Sequence, residues 1–308
     1  MSIISIIIPA FMEEKRISEC LDSLLAQTFT DFEVLCIDDN STDSTYAIMQ
    51  AYSEKDSRIS AYKNPSKGVA SARNLGLKNV KSDYIFFADS DDALHPQALE
   101  YLYKAVKDSS CKIAVCNFER QPSFTPSFFD YRCEVCSANE IVDRSEFLIA
   151  CTWGKLYAAE LLADQQFSDY KIGEDTVFSA SVWKSNGIQN AALVDLPLYH
   201  YARNSESTLA TLNSRKRTDM VRSRIAAYDI LNGFNDKLAS FYLEQGLLYI
   251  TAYKSKKIRF EPEYKKQLNT IYRKYVRKYL TKSTVSLPNK VYIILSFLFP
   301  NLSKKIYK

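Results

Sequence analysis

Residues 84–92, with the sequence YIFFADSDD, place an apolar run directly before a group of acidic residues. The apolar part is rich in aromatic and β-branched side chains, which is typical of a strand buried on both faces of a parallel sheet. Asp89, Asp91 and Asp92 follow at its carboxyl end, where mutual repulsion opposes the ionisation of all three. A divalent cation would remove this repulsion, and ligands made only of oxygen favour Mg²⁺ or Mn²⁺. An acidic turn ahead of a helix is the alternative interpretation.

The pattern of strand, acidic loop and helix also occurs twice before this stretch. A strand predicted over residues 3–8 is followed by Glu13, and one over residues 32–37 is followed by Asp38 and Asp39. Apolar residues at helical spacing follow each loop, so strands and helices alternate as they do in a parallel α/β sheet. Ligands of such sheets bind beyond the carboxyl ends of the strands. We therefore expect these carboxylates to converge on one site.

The charge of the chain is unevenly distributed. Residues 1–250 carry 25 Lys and Arg against 34 Asp and Glu, a net charge of −9, whereas residues 251–308 carry 15 against 2, a net charge of +13. A basic tail on an acidic body predicts an anionic partner. The apolar stretch over residues 291–299 is too short to span a bilayer but suits its interface, beside basic residues that attract anionic lipid. The alternative is a helical subdomain that packs its apolar side on the body; no nucleic-acid motif accompanies the basic residues.

Composition excludes several other classes of protein. The 308 residues are 46% hydrophobic and 25% charged, as in soluble globular proteins. None of the seven glycines forms a dinucleotide fingerprint or a P-loop, and two histidines are too few for a His-rich metal site. Seven cysteines without a signal-peptide pattern predict free thiols in a reducing compartment, which we expect to be the cytoplasm.

Five short motifs follow one another along the chain: IIPAF at residues 7–11, IDDNSTD at 37–43, GVASARN at 68–74, FADSDD at 87–92 and GED at 173–175. In this order they resemble glycosyltransferase family 2 on the GT-A fold. The resemblance covers about residues 3–210 and depends on the order, since each motif alone is weak. Met12 departs from the family, which usually has Asn at this position.

The resemblance implies an α/β domain over residues 1–210, with a mainly parallel sheet flanked by helices. Its nucleotide-sugar half would span about residues 1–118 and its acceptor half about residues 119–210, followed by a basic helical region over residues 211–308. The implied activity is that of an inverting, metal-dependent glycosyltransferase with a nucleotide-sugar donor, UDP-linked, and a hexosyl or N-acetylhexosaminyl group to transfer.

The resemblance also implies roles for individual residues. Asp175 corresponds to the catalytic base, since transfer with inversion needs a carboxylate opposite the leaving group to take the proton of the acceptor. Asp91 would hold Mn²⁺ or Mg²⁺, with Asp89 and His200 as further ligands. The alternatives are a helix N-terminus that favours acidic residues for Asp175 and a hydrogen-bonded strand histidine for His200.

The remaining implied contacts divide between donor and acceptor. Lys67 and Arg73 flank a predicted helix N-terminus, where cation and dipole both favour a diphosphate. Trp153 is placed with the acceptor, although a core position is the alternative. The residues expected to bind the nucleotide sugar are Pro9, Phe11, Glu13, Asp38, Asp39, Lys67, Arg73, Asp89, Ser90 and Arg203, and those expected to bind the acceptor are Trp153, Lys155 and Glu174.

The family and the basic tail together predict a saccharide acceptor, lipid-linked at the inner face of the cell membrane, in surface polysaccharide synthesis. A nucleotidyltransferase is a second class that uses carboxylates, metal and an α/β sheet. It would be expected to have a Gly- and Lys-rich N-terminal loop, whereas residues 9–14 contain no glycine. A third class is a non-catalytic module that binds sugar nucleotides or membranes.

Overall fold

The structure is a computed structural model that describes residues 2–120, 129–202, 212–255, 258–282, 285 and 287–298. The chain divides into two compact units, Met1–Asp169 with Ser185–Ser205 and Tyr170–Lys184 with Glu206–Lys308. Packing thus groups residues 170–184 with the C-terminal helices. The boundary near residue 210 was placed from the extent of the family motifs, and it stays a prediction about how function is divided along the chain.

The first unit is built on a single sheet of short strands. Within the described residues these strands are β1 Ile4–Ala10, β2 Phe32–Asp38, β3 Ile59–Lys63, β4 Tyr84–Phe87, β5 Ala93–Leu94, β6 Ile113–Glu119, β7 Glu134–Ser137, β8 Lys155–Ala158 and β9 Asn190–His200. Their order in the sheet is β3-β2-β1-β4-β8-β6-β9-β5, and β7 also pairs with β9.

Strand direction brings most carboxyl ends to one side of this sheet. β1 is parallel to β2 and β4, and β2 is parallel to β3. β8 runs antiparallel to both β4 and β6, and β6 is parallel to β9. The strands β1, β2, β3, β4, β6 and β9 therefore all end on the same side, which we call the carboxyl edge.

Helices cover the sheet and close the core of the first unit. In α1 the buried residues Ile17, Cys20, Leu21 and Leu24 recur at helical spacing and join the apolar strands in one cluster. The helices of this unit are α1 Ile17–Leu25, α2 Thr45–Lys55, α3 Val69–Asn79, α4 Ala98–Ser109, α5 Ala138–Arg144 and α6 Phe147–Ala150, with a 3-10 turn over Ala159–Leu162. The α/β prediction is confirmed. The pattern after Gly68 predicts a helix over residues 69–79, and α3 has these bounds.

The predicted elements differ from the structure at β7 and at the end of β1. The sequence pattern predicts a loop over residues 119–138, which in the structure contains β7. It also predicts a short helix near residues 158–163, and the 3-10 turn over Ala159–Leu162 agrees with this prediction. The first strand was expected to end before Pro9, yet β1 continues to Ala10. β4 pairs with β1 only as far as Ile7, so the missing N–H of Pro9 removes no ladder hydrogen bond on that side.

The described part of the second unit is helical. Its helices are α7 Glu174–Ser185, α8 Ser214–Leu231, α9 Asp236–Ser255, α10 Pro262–Thr281 and α11 Leu287–Leu298. The apolar stripe of α10 is used inside this unit, since Tyr275 donates to Asp229 at 2.5 Å and Tyr272 donates to the main-chain oxygen of Ile293 at 3.2 Å. Among the described residues, no helix has the length and apolar character needed to cross a membrane.

Gly76 lies in α3, which packs on β1. A Cβ atom at this position would lie 2.4 Å from Cγ2 of Ile7. We predict that Gly76→Ala lowers the free energy of unfolding by about 1–3 kcal/mol, because overpacking outweighs the gain in helix propensity. Urea denaturation measures the change.

The Ile7→Ala background supplies the control, because it removes the side-chain atoms that the new methyl group would meet. Gly76→Ala should cost clearly less in that background, and the double-mutant cycle measures the difference. An equal cost in both backgrounds would contradict the packing explanation.

Candidate functional site

The segment after β4, residues 88–92, forms an acidic loop at the carboxyl edge. Asp92 is 2% exposed. Its Oδ2 atom accepts a hydrogen bond from the Tyr199 hydroxyl at 2.7 Å, and its Oδ1 atom accepts one from the N–H of Ala202 at 2.9 Å. The same hydroxyl accepts the N–H of Asp89 at 3.1 Å. Tyr199 therefore joins two parts of the acidic loop to the end of β9.

The environment of Asp92 opposes its ionisation in part. Burial and the charges of Asp89 and Asp91 raise the pKa of the Asp92 carboxyl well above its usual range, while the hydrogen bonds from Tyr199 and Ala202 act in the opposite direction. Both carboxylate oxygens of Asp92 are thus engaged in hydrogen bonds within the protein. Asp89 and Asp91, which are half-buried, are the carboxylates of the acidic loop with access to solvent.

Asp89 and Arg73, both predicted to contact the donor, are brought together. Nη2 of Arg73, on α3, lies 2.9 Å from Oδ1 of Asp89. The guanidinium also lies 5.3 Å from the centre of the Phe167 ring, and the side chain is almost fully buried. Ser90, between the two predicted metal ligands, is buried. A cation at the acidic loop and a diphosphate beside Arg73 would therefore be neighbours.

The acidic pair after β2 holds the chain that leads into α3. Both oxygens of Asp39 accept the N–H of Gly68, at 2.8 and 2.9 Å, and Oδ1 also accepts from Nδ2 of Asn64 at 2.8 Å. Gly68 has φ of +121°, a backbone conformation that residues other than glycine rarely adopt. The oxygens of Asp38 accept from the N–H of Ser41 at 3.3 Å. Contacts with a nucleoside would have to use the remaining lone pairs of both carboxylates.

The loop after β1 presents the accessible members of the predicted donor site. Phe11 is 48% exposed, and Nζ of the exposed Lys67 lies 5.9 Å from the centre of its ring. Met12 has φ of +57°, a left-handed backbone conformation that Asn adopts more readily than Met. Glu13 pairs with Arg16 at 2.7 Å. Pro9 is buried within β1, as described above.

The predicted acceptor residues Trp153 and Lys155 lie in the core. Trp153 is 4% exposed and stacks on Tyr199, with ring centres 4.6 Å apart and planes inclined by 11°. Lys155 is 1% exposed, and its ammonium group donates to the main-chain oxygens of Cys151 and Trp153. The structure thus corrects these two predictions, because neither side chain offers a face to a sugar. The core alternative for Trp153 applies.

His200 ends β9 and pairs across the sheet with Ala93 and Glu119. Its Nδ1 atom lies 4.0 Å from Oε1 of Glu119. Over the described ranges, no three His, Cys, Asp or Glu side chains are arranged to hold a metal ion. The structure therefore does not assemble His200 with Asp89 and Asp91 into one ligand set.

Asp175 is the second residue of α7, in the second unit. Its Oδ1 atom accepts the N–H of Thr176 at 2.7 Å. Gly173, just before the helix, has φ of +88°, and a Cβ atom there would lie 2.2 Å from Oγ of Ser223 on α8. The glycine therefore lets the start of α7 approach α8, which fixes where Asp175 emerges within this unit.

The chain before α7 has a second attachment to α8. The N–H of Lys171 donates to Asp219 at 3.1 Å, and Nη1 of Arg222 donates to the same buried carboxylate at 3.0 Å. Glu174 was predicted to contact the acceptor, but its side chain is buried and is not presented to solvent. The donor contact predicted for Arg203 lies outside the described residues.

Tyr199→Phe removes the hydroxyl that joins Asp92 to Asp89 and leaves a buried carboxylate without one of its donors. We predict a loss of about 1–3 kcal/mol in the free energy of unfolding, measured by urea denaturation. Tyr201→Phe is the matched control, because the Tyr201 hydroxyl makes no hydrogen bond to any described residue. Equal losses in the two variants would show that the hydroxyl of Tyr199 contributes nothing specific.

Comparison with known proteins identifies the family. The family model described as Glycosyl transferase family 2 matches residues 5–150. Glycosyltransferase GlyA of Streptococcus pneumoniae serotype 4 is 31% identical over 193 residues, which are 58% of this chain and 28% of that protein. The poly(ribitol-phosphate) beta-glucosyltransferase of Bacillus spizizenii is 33% identical over 210 residues, 64% of this chain and 32% of that protein. The chain thus spans less than a third of the length of either relative.

A solved structure supports the fold. This chain is similar to the crystal structure of S. aureus TarS 1–349 in complex with UDP-GlcNAc, with a TM-score of 0.73 and 19% sequence identity. The superposition covers 97% of this chain and 88% of the TarS chain. This likeness confirms the predicted GT-A architecture with C-terminal helices. Together with the family match and the order of the motifs, it leads to one assignment. Residues 5–150 form a glycosyltransferase family 2 domain.

Proposed function

We propose that this protein is an inverting glycosyltransferase that moves a sugar from a UDP-linked donor to a saccharide acceptor in surface polysaccharide synthesis. The observation that carries the proposal is the gathering of Glu13, Asp38/Asp39 and Asp89/Asp91 at one carboxyl edge, next to Arg73. The relative that acts on poly(ribitol-phosphate) and the UDP-GlcNAc bound to TarS support the substrate classes.

The donor would lie along the ends of β1, β2 and β4. Phe11 offers an exposed aromatic face beside Lys67, and Arg73 supplies a guanidinium next to the acidic loop. Aromatic stacking suits a nucleobase, and a guanidinium binds phosphate oxygens in a bidentate manner. Asp38 and Asp39 are only 2% and 7% exposed. They would accept hydrogen bonds from the nucleoside with the lone pairs that Ser41, Gly68 and Asn64 do not use.

Asp91 and Asp89 fit Mn²⁺ or Mg²⁺ as a small set of protein ligands. Mg²⁺ is usually held by one or two carboxylates together with the phosphates of a substrate, so two half-buried carboxylates are sufficient. When bound, the cation would stabilise negative charge on the diphosphate leaving group. The pairing of Arg73 with Asp89 would place a second positive charge beside the same oxygens.

Asp175 would act as the general base. A carboxylate that removes the proton from the attacking hydroxyl contributes roughly 10²–10⁴-fold to the rate in comparable enzymes. Asp175 is half-buried rather than buried, and the contact of Gly173 with α8 fixes the start of its helix. These features support a positioned side chain that is open to a substrate.

Calorimetric titration of UDP and UDP-sugars, with and without Mn²⁺, separates binding from chemistry. We predict that Asp91→Ala weakens metal-dependent binding at least about 10-fold, because a charged ligand contact is worth about 1.5–3 kcal/mol. Asp175→Asn should keep the wild-type affinity and lose roughly 10²–10⁴-fold in turnover.

Asp83→Ala is the matched control, because Asp83 is an exposed carboxylate immediately before β4, at the opposite end of that strand. It should leave both measurements unchanged. Wild-type protein that binds no nucleotide under any of these conditions would overturn the proposal. Equal loss of binding in Asp91→Ala and Asp175→Asn would contradict the separate roles.

We further propose that the second unit associates with the inner face of the cell membrane by electrostatic attraction, where a lipid-linked acceptor would be met. The apolar stripe of α10 is buried within the unit, so that helix offers charge rather than an apolar face for insertion. Its exposed basic residues are Lys265, Lys266, Arg273, Lys274, Arg277 and Lys278.

The charge of α10 can be tested with a matched pair of double variants. Lys265→Gln/Lys266→Gln should weaken binding to vesicles that contain phosphatidylglycerol by roughly 30-fold, since each basic residue near such a surface contributes about 1 kcal/mol. Lys104→Gln/Lys107→Gln, on the exposed side of α4, removes the same charge elsewhere and should have little effect. Cosedimentation measures both, and binding that is insensitive to salt or equal in the two variants would contradict the proposal.

A further inference from the structure

Arg120 follows β6 directly and is held over a group of aromatic rings. Its guanidinium carbon lies 4.8 Å from the ring centre of Phe147, 5.3 Å from that of Tyr201 and 5.4 Å from that of Phe118. Each contact is attractive, because the face of an aromatic ring carries partial negative charge. Three together restrict a side chain that would otherwise sample many rotamers, so the cation is presented in a defined place.

The charge of Arg120 has no acidic partner within the part of the chain that the structure describes. Arg58, Arg73 and Arg144, in contrast, each lie within 3.0 Å of a carboxylate. The aromatic rings provide no hydrogen-bond acceptor atom. The five N–H donors of the guanidinium can therefore still donate hydrogen bonds to an anion. An exposed, restrained arginine with this capacity has the properties of an anion-binding residue.

Arg120 is connected to the acidic loop through the residues that follow β9. The ring of Tyr201 contacts Arg120, and the N–H of the next residue, Ala202, donates to Asp92 at 2.9 Å. Burial, assisted by the charges of Asp92, Asp89 and Asp91, raises the pKa of the Tyr201 hydroxyl to about 12, as expected for a group beside the loop.

The order of the strands separates Arg120 from the donor side. β1, β2 and β3, whose ends carry the predicted nucleotide contacts, lie on one side of β4, and β6 and β9 lie on the other. Both groups end at the carboxyl edge. A substrate that reaches Arg120 and the acidic loop would therefore approach from the side opposite the nucleotide.

We propose that Arg120 binds an anionic group, a phosphate or a carboxylate, on the acceptor saccharide. The acceptor is then a charged polymer or a charged glycan rather than a neutral one. This inference rests on the proposed transferase function, to which it adds the chemical class of the acceptor. Phe118, Phe147 and Tyr201 are positioning residues, because they hold the guanidinium in place.

The test titrates the protein, free and saturated with UDP, with an oligomer of glycerol phosphate and with neutral maltohexaose. Arg120→Gln should weaken binding of the phosphate oligomer by about 10- to 100-fold, the usual range for a hydrogen-bonded charge. Arg120→Lys should recover part of the affinity, since it restores the charge without the planar fork of donors. Binding of UDP and of maltohexaose should be unchanged in both variants.

Lys81→Gln, at an exposed position between α3 and β4, is the matched control for loss of one positive charge. An equal loss in this variant, or wild-type protein that does not bind the phosphate oligomer, would overturn the assignment. Weaker binding of UDP by Arg120→Gln would overturn it too, because the residue would then belong to the donor diphosphate. A wild-type protein that binds the oligomer but no nucleotide would sink the transferase function instead.

Discussion

A carboxylate buried away from water constrains the carboxyl edge of the first unit. Asp92 follows the central strand β4, and such a group is costly to bury unless donors reach it. The donors come from the far side of the sheet, from Tyr199 and Ala202 at the end of β9. The hydrogen bonds that Asp92 needs thus fix the distance between the chain after β4 and the chain after β9. The same constraint fixes the positions of the accessible Asp89 and Asp91, which lie in the same loop.

At the end of β2, too, a carboxylate is used to hold the chain in place. Asp39 uses both oxygens on the N–H of Gly68, and so sets the position at which α3 begins. α3 in turn carries Arg73, which meets Asp89. Some carboxylates of the edge therefore hold the protein together, while others are available to ligands. A count of acidic residues in a motif does not reveal this difference.

The sequence predicted what depends on periodicity and order. Alternating apolar strands and amphipathic helices gave the α/β fold, and α3 was placed to the residue because Gly68 and a clear helical pattern mark its ends. The four-residue strands β7 and β8 were missed, since runs this short have no measurable period. Trp153 and Lys155 were misplaced for another reason. A motif gives the position of a residue along the chain, whereas the direction of its side chain depends on tertiary packing, which here turns both inward. Tyr199 was missed as a functional residue, although a tyrosine beside His200 in a strand that ends at the carboxyl edge was visible in the sequence.

The course of the chain between the two units has a practical consequence for truncation. The chain passes from one unit to the other three times, after Asp169, Lys184 and Ser205. α7, with Asp175, is supported within its unit by α8, through Gly173 and through the hydrogen bond from Lys171 to Asp219. A protein shortened near residue 210 would keep every family motif but lose the support of that helix. The segment that carries Asp175 is thus expected to need the C-terminal helices for its own folding, so truncation after the last motif would separate the motif from its structural support.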